Sequence, residues 1–346
     1  MTHDWADMDR TDEWSVEMVD PRNPEVSRGW LKGLKDLSVS TGYYVDTRMT
    51  ATIETLGDDG YIENSQLRIW HTVPEWGLTY ALFTGYVTSA PDTLENGTKQ
   101  TSYRCSSAMY AMQVDLFTAP FAINKGAKAL DAMGQILNGS GRPYKVANGA
   151  RDYLFGRPRA WKAADTKLSA LNDIANIAND RLTVDGYGYV VIEPYTAPSQ
   201  AKEPDYVIAT DGGLVISESI DHTNTASEAP GRYIVTHTNG DEVISAYADV
   251  DSSSPNSPQR RGYTLATSND VTDLTGGAAQ AKQLATTYLK KAQGGVEEWG
   301  LTCLYFPAQE GDFVKLRLWG EEHLTFVKSA EFSPLAGTVK LNLKGV

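Results

Sequence analysis

Cysteine is scarce in this chain: Cys105 and Cys303 are the only two among 346 residues. Two thiols cannot staple a chain of that length, so a disulfide scaffold is excluded and a reducing site of synthesis is the default expectation. Both stand in apolar or strand-like surroundings, which predicts packed thiols rather than reactive ones. Long hydrophobic runs are missing as well, since no uncharged apolar stretch approaches the ~20 residues that a membrane span needs. By position 25 the sequence has eight acidic residues against two arginines, the reverse of a secretory n-region, so a secretory leader is not expected there. Basic charge is short overall. A formal net charge of −13 disfavours a phosphate-neutralising groove, and with it a nucleic-acid reader, while remaining compatible with a surface that nucleic acid passes without sticking. Histidine is sparse and scattered, and His3, His71, His222, His237 and His323 never fall at the i, i+4 spacing of a zinc helix. Surface or interface positions are expected for His71 and His323.

What is present is an ordinary globular composition, 41% hydrophobic and 22% charged, long enough for roughly two to four domains. Residues 313–319 read as a β-strand, with Val314, Leu316 and Leu318 on one face and Lys315, Arg317 and Trp319 on the other. The segment has an echo in Gln66-Leu67-Arg68-Ile69-Trp70, again with Arg and Trp opposite the apolar face. The five-residue match is weak in a β-rich chain; the flanking order carries more. Before the first copy come an alternating run, 48–56, and a turn containing Asp58-Asp59-Gly60; before the second come 301–306, Pro307 and Gly311. After the first come 81–89, Pro91, Gly97-Thr98 and a polar strand to Cys105; after the second come 324–332, Pro334, Gly337-Thr338 and 339–343. Strand, turn, strand, turn, strand, Pro and Gly-Thr in the same order predict one small β-barrel or sandwich present twice.

Taken in order, residues 14–20 form a first strand ended by Asp20-Pro21, and 29–40 supply one or two more. From Ser106 the period changes. A short serine-capped helix is expected over 106–113, a second over 124–138 with Asn124 as its cap, and the clearest over 165–181, where Leu168, Leu171, Ala175 and Ala178 face inward. A hairpin follows, turning at Asp185-Gly186-Tyr187-Gly188, where glycine provides positive φ. After a Pro, Ser and Lys linker at 198–204 come a strand at 214–220, a hairpin around Asn239-Gly240 and an exposed loop at 249–262. A helix over 277–292 closes at Gly294-Gly295. The expected fold is therefore α+β and mainly β: two similar small antiparallel β-barrels at the chain ends with an α+β insert between them. The divisions are 1–105 for the first barrel, 106–205 for the middle domain, 206–295 for a shared hairpin and helix segment, and 296–346 for the core of the second barrel.

The search for chemistry returns nothing above background. Asn138-Gly139-Ser140-Gly141 lacks the spacing of a nucleophile elbow, Asp249-x-Asp251 lacks the later ligands of a calcium loop, and no helix opens after Gly188 to cradle a phosphate. The acid pairs Asp58 and Asp59, Glu297 and Glu298, and Glu321 and Glu322 fall in turns or at strand ends, where solvated carboxylates are common. No catalytic residue, cofactor or metal ligand is assigned. Eight Trp and eighteen Tyr suit a carbohydrate-binding face, a sheet core or a protein interface equally. Stacking of Arg68 on Trp70 and of Arg317 on Trp319 at a subunit contact stands beside simple coverage of an outer barrel wall.

The order of elements resembles the tail hub, or baseplate hub, proteins of long-tailed bacteriophages. The likeness is carried by the strand 14–20, Arg48-Met49-Thr50-Ala51 feeding a barrel, and the helix 168–181 running into Val184-Asp185-Gly186-Tyr187-Gly188-Tyr189. Ala229-Pro230-Gly231-Arg232-Tyr233-Ile234-Val235, the loop 257–262, the alanine-rich helix 278–292 and Pro307-Ala308-Gln309-Glu310-Gly311-Asp312 complete it. The resemblance implies a virion protein at the tail tip, assembled in the host cytoplasm: a homotrimer that closes the distal end of the tail tube, with no enzymatic step. Its expected partners are the distal tail or tail tube protein ring, the tape-measure protein C-terminus, and tip, spike and receptor-binding proteins. Neither sequence-specific nucleic-acid binding nor membrane insertion is expected, nor a lytic or receptor-binding module beyond the second barrel at Val346. Three chains with two like barrels each present six like units, which adapts a six-fold tube to a three-fold tip. The alternatives are a carbohydrate-binding β-protein and a glycoside hydrolase.

Overall fold

The computed structural model describes residues 5, 9–43, 46–57, 65–195, 203–210, 214, 220–239, 242–271, 277–293 and 297–346. The chain opens with β1 (Glu13–Val19), β2 (Ser27–Trp30), β3 (Leu34–Gly42), β4 (Met49–Leu56), β5 (Gln66–Val73), β6 (Leu78–Ser89), β7 (Asp92–Glu95) and β8 (Thr98–Ser107). An insert follows, with α1 (Ala108–Val114), β9 (Phe121–Ile123), α2 (Ala129–Gly139), β10 (Tyr144–Val146), β11 (Arg159–Trp161), α3 (Lys167–Ala178), β12 (Asp180–Val184) and β13 (Val190–Pro194). Then come β14 (Tyr206–Ala209), β15 (Asp221–Asn224), β16 (Arg232–Asn239), β17 (Glu242–Asp249), α4 (Pro258–Arg261), β18 (Ala266–Asp270) and α5 (Gly277–Gln293). The last strands are β19 (Glu297–Leu304), β20 (Phe313–Leu318), β21 (Glu321–Ser333) and β22 (Thr338–Gly345).

Alternation decides most of these strands. In β20, Val314, Leu316 and Leu318 are buried while Lys315 and Arg317 point the other way, and each fully buried aliphatic side chain contributes roughly 1.5–3 kcal/mol relative to exposure. Helix α3 starts where Thr166 accepts the Ser169 N–H at 3.0 Å and stops where Asn179 takes a left-handed φ of 58°. Between those signals Leu168, Leu171, Ile174, Ala175 and Ala178 are buried, as the helical period predicts. Helix α2 begins at Ala129, not at Asn124. Gly126, at φ 80°, breaks the chain between the expected cap and the helix, so Asn124 caps nothing there.

The duplication is present in the topology. In the first half the strands run β4-β8-β6-β5, and in the second β19-β22-β21-β20, so in each unit the first strand lies beside the fourth, the fourth beside the third and the third beside the second. All six pairings are antiparallel. Both units also have a bulge in the third strand against the fourth, at Val87/Ser89 and at Val327/Ser329. That shared bulge fixes a structural register. Thr84 and Leu324 stand the same number of residues before Val87 and Val327, and they pair with Arg68 and Lys315 respectively. The Leu-Arg-x-Trp echo is therefore out of step: Arg68 corresponds to Lys315, whereas Arg317 pairs with Glu322 nearer the turn.

Two similar small antiparallel β-barrels were the expectation, and the strands of both halves instead lie in one sheet that is not closed. β21 pairs with β3, Phe332 opposite Val39 and Ala330 opposite Thr41, which joins the halves into a 14-stranded sheet whose path runs from β15 to β2. Closure requires each half to meet its own far edge, and here the edge of β3 is taken by β21. One core serves both halves, with Ile53, Phe83, Cys105, Cys303, Phe332 and Leu341 in the same cluster. The insert has its own core around α2 and α3, and α5 packs a third small core against β16 and β17 through Ala281, Ala285 and Leu289.

Strand β18 lies parallel to β16 and had no sequence signal, since all five of its residues are exposed. The expected loop at 249–262 contains the short helix α4, started by Ser257 and Pro258. The turn at Asp58-Asp59-Gly60, most of the linker 198–204 and of the strand 214–220, Gly240 of the Asn-Gly turn, and Gly294-Gly295 lie outside the described residues.

Candidate functional site

Arg68 and Trp70, on β5, meet side chains of their own chain. The tip of the β12–β13 hairpin lies on β6 so closely that a Cβ on Gly186 would stand 1.8 Å from the Ala81 carbonyl oxygen. Glycine there serves backbone approach, while Gly188 provides the positive φ, 85°. Thr84 Oγ1 donates to the Gly186 carbonyl at 2.6 Å and accepts from Arg68 Nε at 3.0 Å. Arg68 Nη2 donates to the carbonyls of Pro24 at 2.7 Å and Tyr187 at 3.1 Å, and Nη1 lies 3.6 Å from Glu17 Oε2. Trp70 Nε1 donates to the same Glu17 oxygen at 2.9 Å, and its ring stands edge-on to Tyr187. The guanidinium lies 5.5 Å from the Trp70 ring and 5.7 Å from that of Tyr187. This set fastens the insert to the first half of the sheet.

The other pair separates. Arg317 Nε is bonded to Glu322 at 2.8 Å, and Trp319 is not on the strand. Trp319 and Gly320, at φ 51° and 87°, are the two central residues of the tight turn joining Leu318 to Glu321. At 79% exposure Trp319 is the most exposed of the large hydrophobic residues described.

His71 is a correction to the surface expectation, for it is fully buried. Its ring is stacked on Trp14 at 4.1 Å, with Nε2 2.7 Å from Asp12 Oδ1 and Nδ1 2.9 Å from the Tyr80 hydroxyl. That hydroxyl in turn lies 2.8 Å from the hydroxyl of Tyr305, in the second half. Burial pushes the Tyr80 and Tyr305 phenols up, while for Asp12 the hydrogen bonds from His71 and Arg10 outweigh burial and hold the carboxyl below its usual range. Arg10 Nη2 donates to the Tyr305 carbonyl at 2.5 Å. The line from Asp12 to Tyr305 has the look of a proton relay but ends tyrosine on tyrosine, with no nucleophile, and ties the N-terminal segment to both halves. His323 is half-buried, with Nε2 3.7 Å from Glu321 Oε2.

A cleft of about 270 Å³ opens where the insert meets both halves, lined among others by Arg48, Tyr80, Arg181, Glu193, Gln309 and Glu310. Glu193 is held by Arg181 Nε at 2.7 Å. Burial pushes the Glu310 carboxyl up to about 7 against the attraction of Arg48 and Arg181. Of the acid pairs, Asp58 and Asp59 lie outside the described residues. Glu298 binds Lys328 and lines a second cleft, of about 410 Å³, with Asp221 and Glu331, while Glu297 binds Asn224 and Glu322 binds Arg317. Among the described residues no three His, Cys, Asp or Glu side chains gather to hold a metal ion. Sequence reasoning missed Glu310 altogether, although the loop that holds it is part of the resemblance.

The fold is shared with solved tail proteins, one of them from a prophage. The tail protein from Neisseria meningitidis MC58 matches with a TM-score of 0.71 at 13% identity over 96% of each chain. The 43 kDa tail protein of prophage MuSo2 from Shewanella oneidensis matches at 0.69 and 13%, over 96% of this chain and 98% of that one. The Francisella PdpA-VgrG complex contains a chain matched at 0.58 and 10%, over 98% of this chain and 58% of that one. The chain matches no protein-family model and no curated protein.

Proposed function

We propose that this chain is a structural phage tail protein that acts as a hub, three copies forming a ring at the distal end of the tail tube. The observation that supports it most is the repeated strand order of the two half-sheets. Three copies bring six like units to a ring, so one component can meet a six-fold tube on one side and a three-fold tip on the other. The half-sheets, within 1–105 and 296–346, form the ring; the middle domain, 106–205, and the segment 206–295 occupy its periphery. The tail tube ring, the tape-measure C-terminus and the tip or spike are its partners, and the net charge of −13 lets the DNA backbone pass by repulsion. Arg68 and Trp70 act indirectly, by fixing the insert, whereas Trp319 with Arg317 contacts a neighbouring copy or ring.

Multi-angle light scattering together with electron cryomicroscopy tests the reading. A mass three times that of the chain, and particles with a three-fold axis, are expected. A monomer that persists at high concentration overturns it. A glycan-binding reading draws on the exposed ring of Trp319, because Trp70 is packed against Tyr187 and Glu17.

A further inference from the structure

Glu310 sits where three segments meet: the start of β4 through Arg48, the hairpin of the insert through Arg181 and Glu193, and its own loop between Pro307 and β20. Its side chain is 10% exposed, and among the described residues neither carboxyl oxygen has a hydrogen-bond partner. Arg48 Nη1 stands 3.9 Å from Oε1, within ion-pair range but beyond a hydrogen bond, and donates to the Tyr43 carbonyl. Arg181 is turned toward Glu193 and lies over the Tyr43 ring at 5.3 Å. The other charged or titratable groups nearby have their own partners. Tyr80 bonds Tyr305, Asp185 takes Lys145 at 2.7 Å, and Asp312, on the loop, accepts the Gln309 N–H at 2.6 Å. Glu193 adds like charge. A carboxylate so placed lacks both water and donors, the arrangement in which the charged form is costly. The cleft beside it gives the side chain somewhere to turn.

We propose that Glu310 is a proton-operated latch between the insert and the sheet. With a proton on its carboxyl group, the loop stays closed against Arg48 and the β12–β13 hairpin. On losing the proton, the carboxylate turns into the cleft toward water, and the hairpin loosens from the loop. Burial supports this by raising the folded-state value from 4.5 to about 7. Because the folded state favours the protonated form, the contribution is complete below 4.5 and is lost as pH rises through about 7.

The test is a carbon-detected NMR titration of Glu310 in the full chain, combined with hydrogen exchange of β12 and β13 in the wild type and in Glu310→Gln. The titration midpoint is expected near 7. Wild-type exchange, corrected for its intrinsic pH dependence, is expected to quicken by up to roughly three-hundredfold across the window from 4.5 to about 7, each pH unit between the two values being worth tenfold. In Glu310→Gln it stays flat. A midpoint at the ordinary 4.5, or an equal pH dependence in the variant, overturns the proposal. If the variant does not fold, the wild-type titration alone decides.

Discussion

Arg68 Nη2 bonds the backbone carbonyl of Tyr187 at 3.1 Å, across 119 positions of the chain. The guanidinium is nearly enclosed and faces Glu17, whose side chain is also nearly enclosed. Among the described residues, Arg68→Ala leaves that carboxylate with Trp70 Nε1 as its remaining side-chain donor and removes the bonds to Thr84, Pro24 and Tyr187. The expected loss is about 3–5 kcal/mol, read from denaturant unfolding. Arg68→Lys recovers only part of it, because one ammonium cannot span the same acceptors. Unfolding midpoints equal to wild type would show that the insert is held by something else.

Gly186 makes a second, sharper test of the same contact. Gly186→Ala drives a Cβ to 1.8 Å from the Ala81 carbonyl oxygen, a backbone atom in the sheet that cannot rotate away. Overpacking of this kind costs roughly 1–3 kcal/mol or more, and the insert should loosen before the sheet does. Gly139→Ala is the control: a helical glycine with open space around it, where alanine is neutral or stabilising by roughly 0.5–1 kcal/mol. Limited proteolysis with calorimetry on both variants compares them directly. Equal melting temperatures would remove the close approach from the account.

The strands and the clearest helix were legible because burial acts on one face at a fixed period, as in β20 and α3. The duplication was legible as an order of elements, and the Leu-Arg-x-Trp echo pointed to the right pair of units through the wrong residues, since register is set by the Val87 and Val327 bulges. What the sequence left hidden depends on contacts between distant segments. The edge of β3 taken by β21, the burial of His71 against Asp12 and Tyr80, and the convergence of Arg48, Arg181 and Glu310 leave no local period to read. Strand β18 was silent for the opposite reason: a fully exposed strand has no apolar face to betray it.

Trp319 holds a left-handed φ of 51° at the tip of a tight turn, a conformation that asparagine adopts more readily than tryptophan. With the ring 79% exposed, folding gains little from it. Trp319→Asn is expected to leave the melting temperature of the isolated chain unchanged or to raise stability by up to ~1 kcal/mol, while weakening self-association or binding to a partner ring. Sedimentation equilibrium measures the association. A glycan array run on the same variant separates the two readings, since sugar-specific hits lost with the ring and an unaltered oligomer would favour carbohydrate binding.

Cys105 and Cys303 lie in the shared core, and burial pushes both thiols up to about 12. The thiolate is the reacting form, so at neutral pH each is almost wholly in its inert state and is also shielded by the packed sheet. In the native protein a disulfide reagent such as dithionitrobenzoate is expected to label neither thiol over hours, and both promptly once guanidinium unfolds the chain. Because Cys105 is on β8 and Cys303 on β19, labelling during slow unfolding also reports whether the two halves of the sheet part together. Simultaneous exposure fits one core joined through β3 and β21. Exposure of one thiol with the other still protected would mean that the halves are separate cooperative units, and the single-core description would have to be given up.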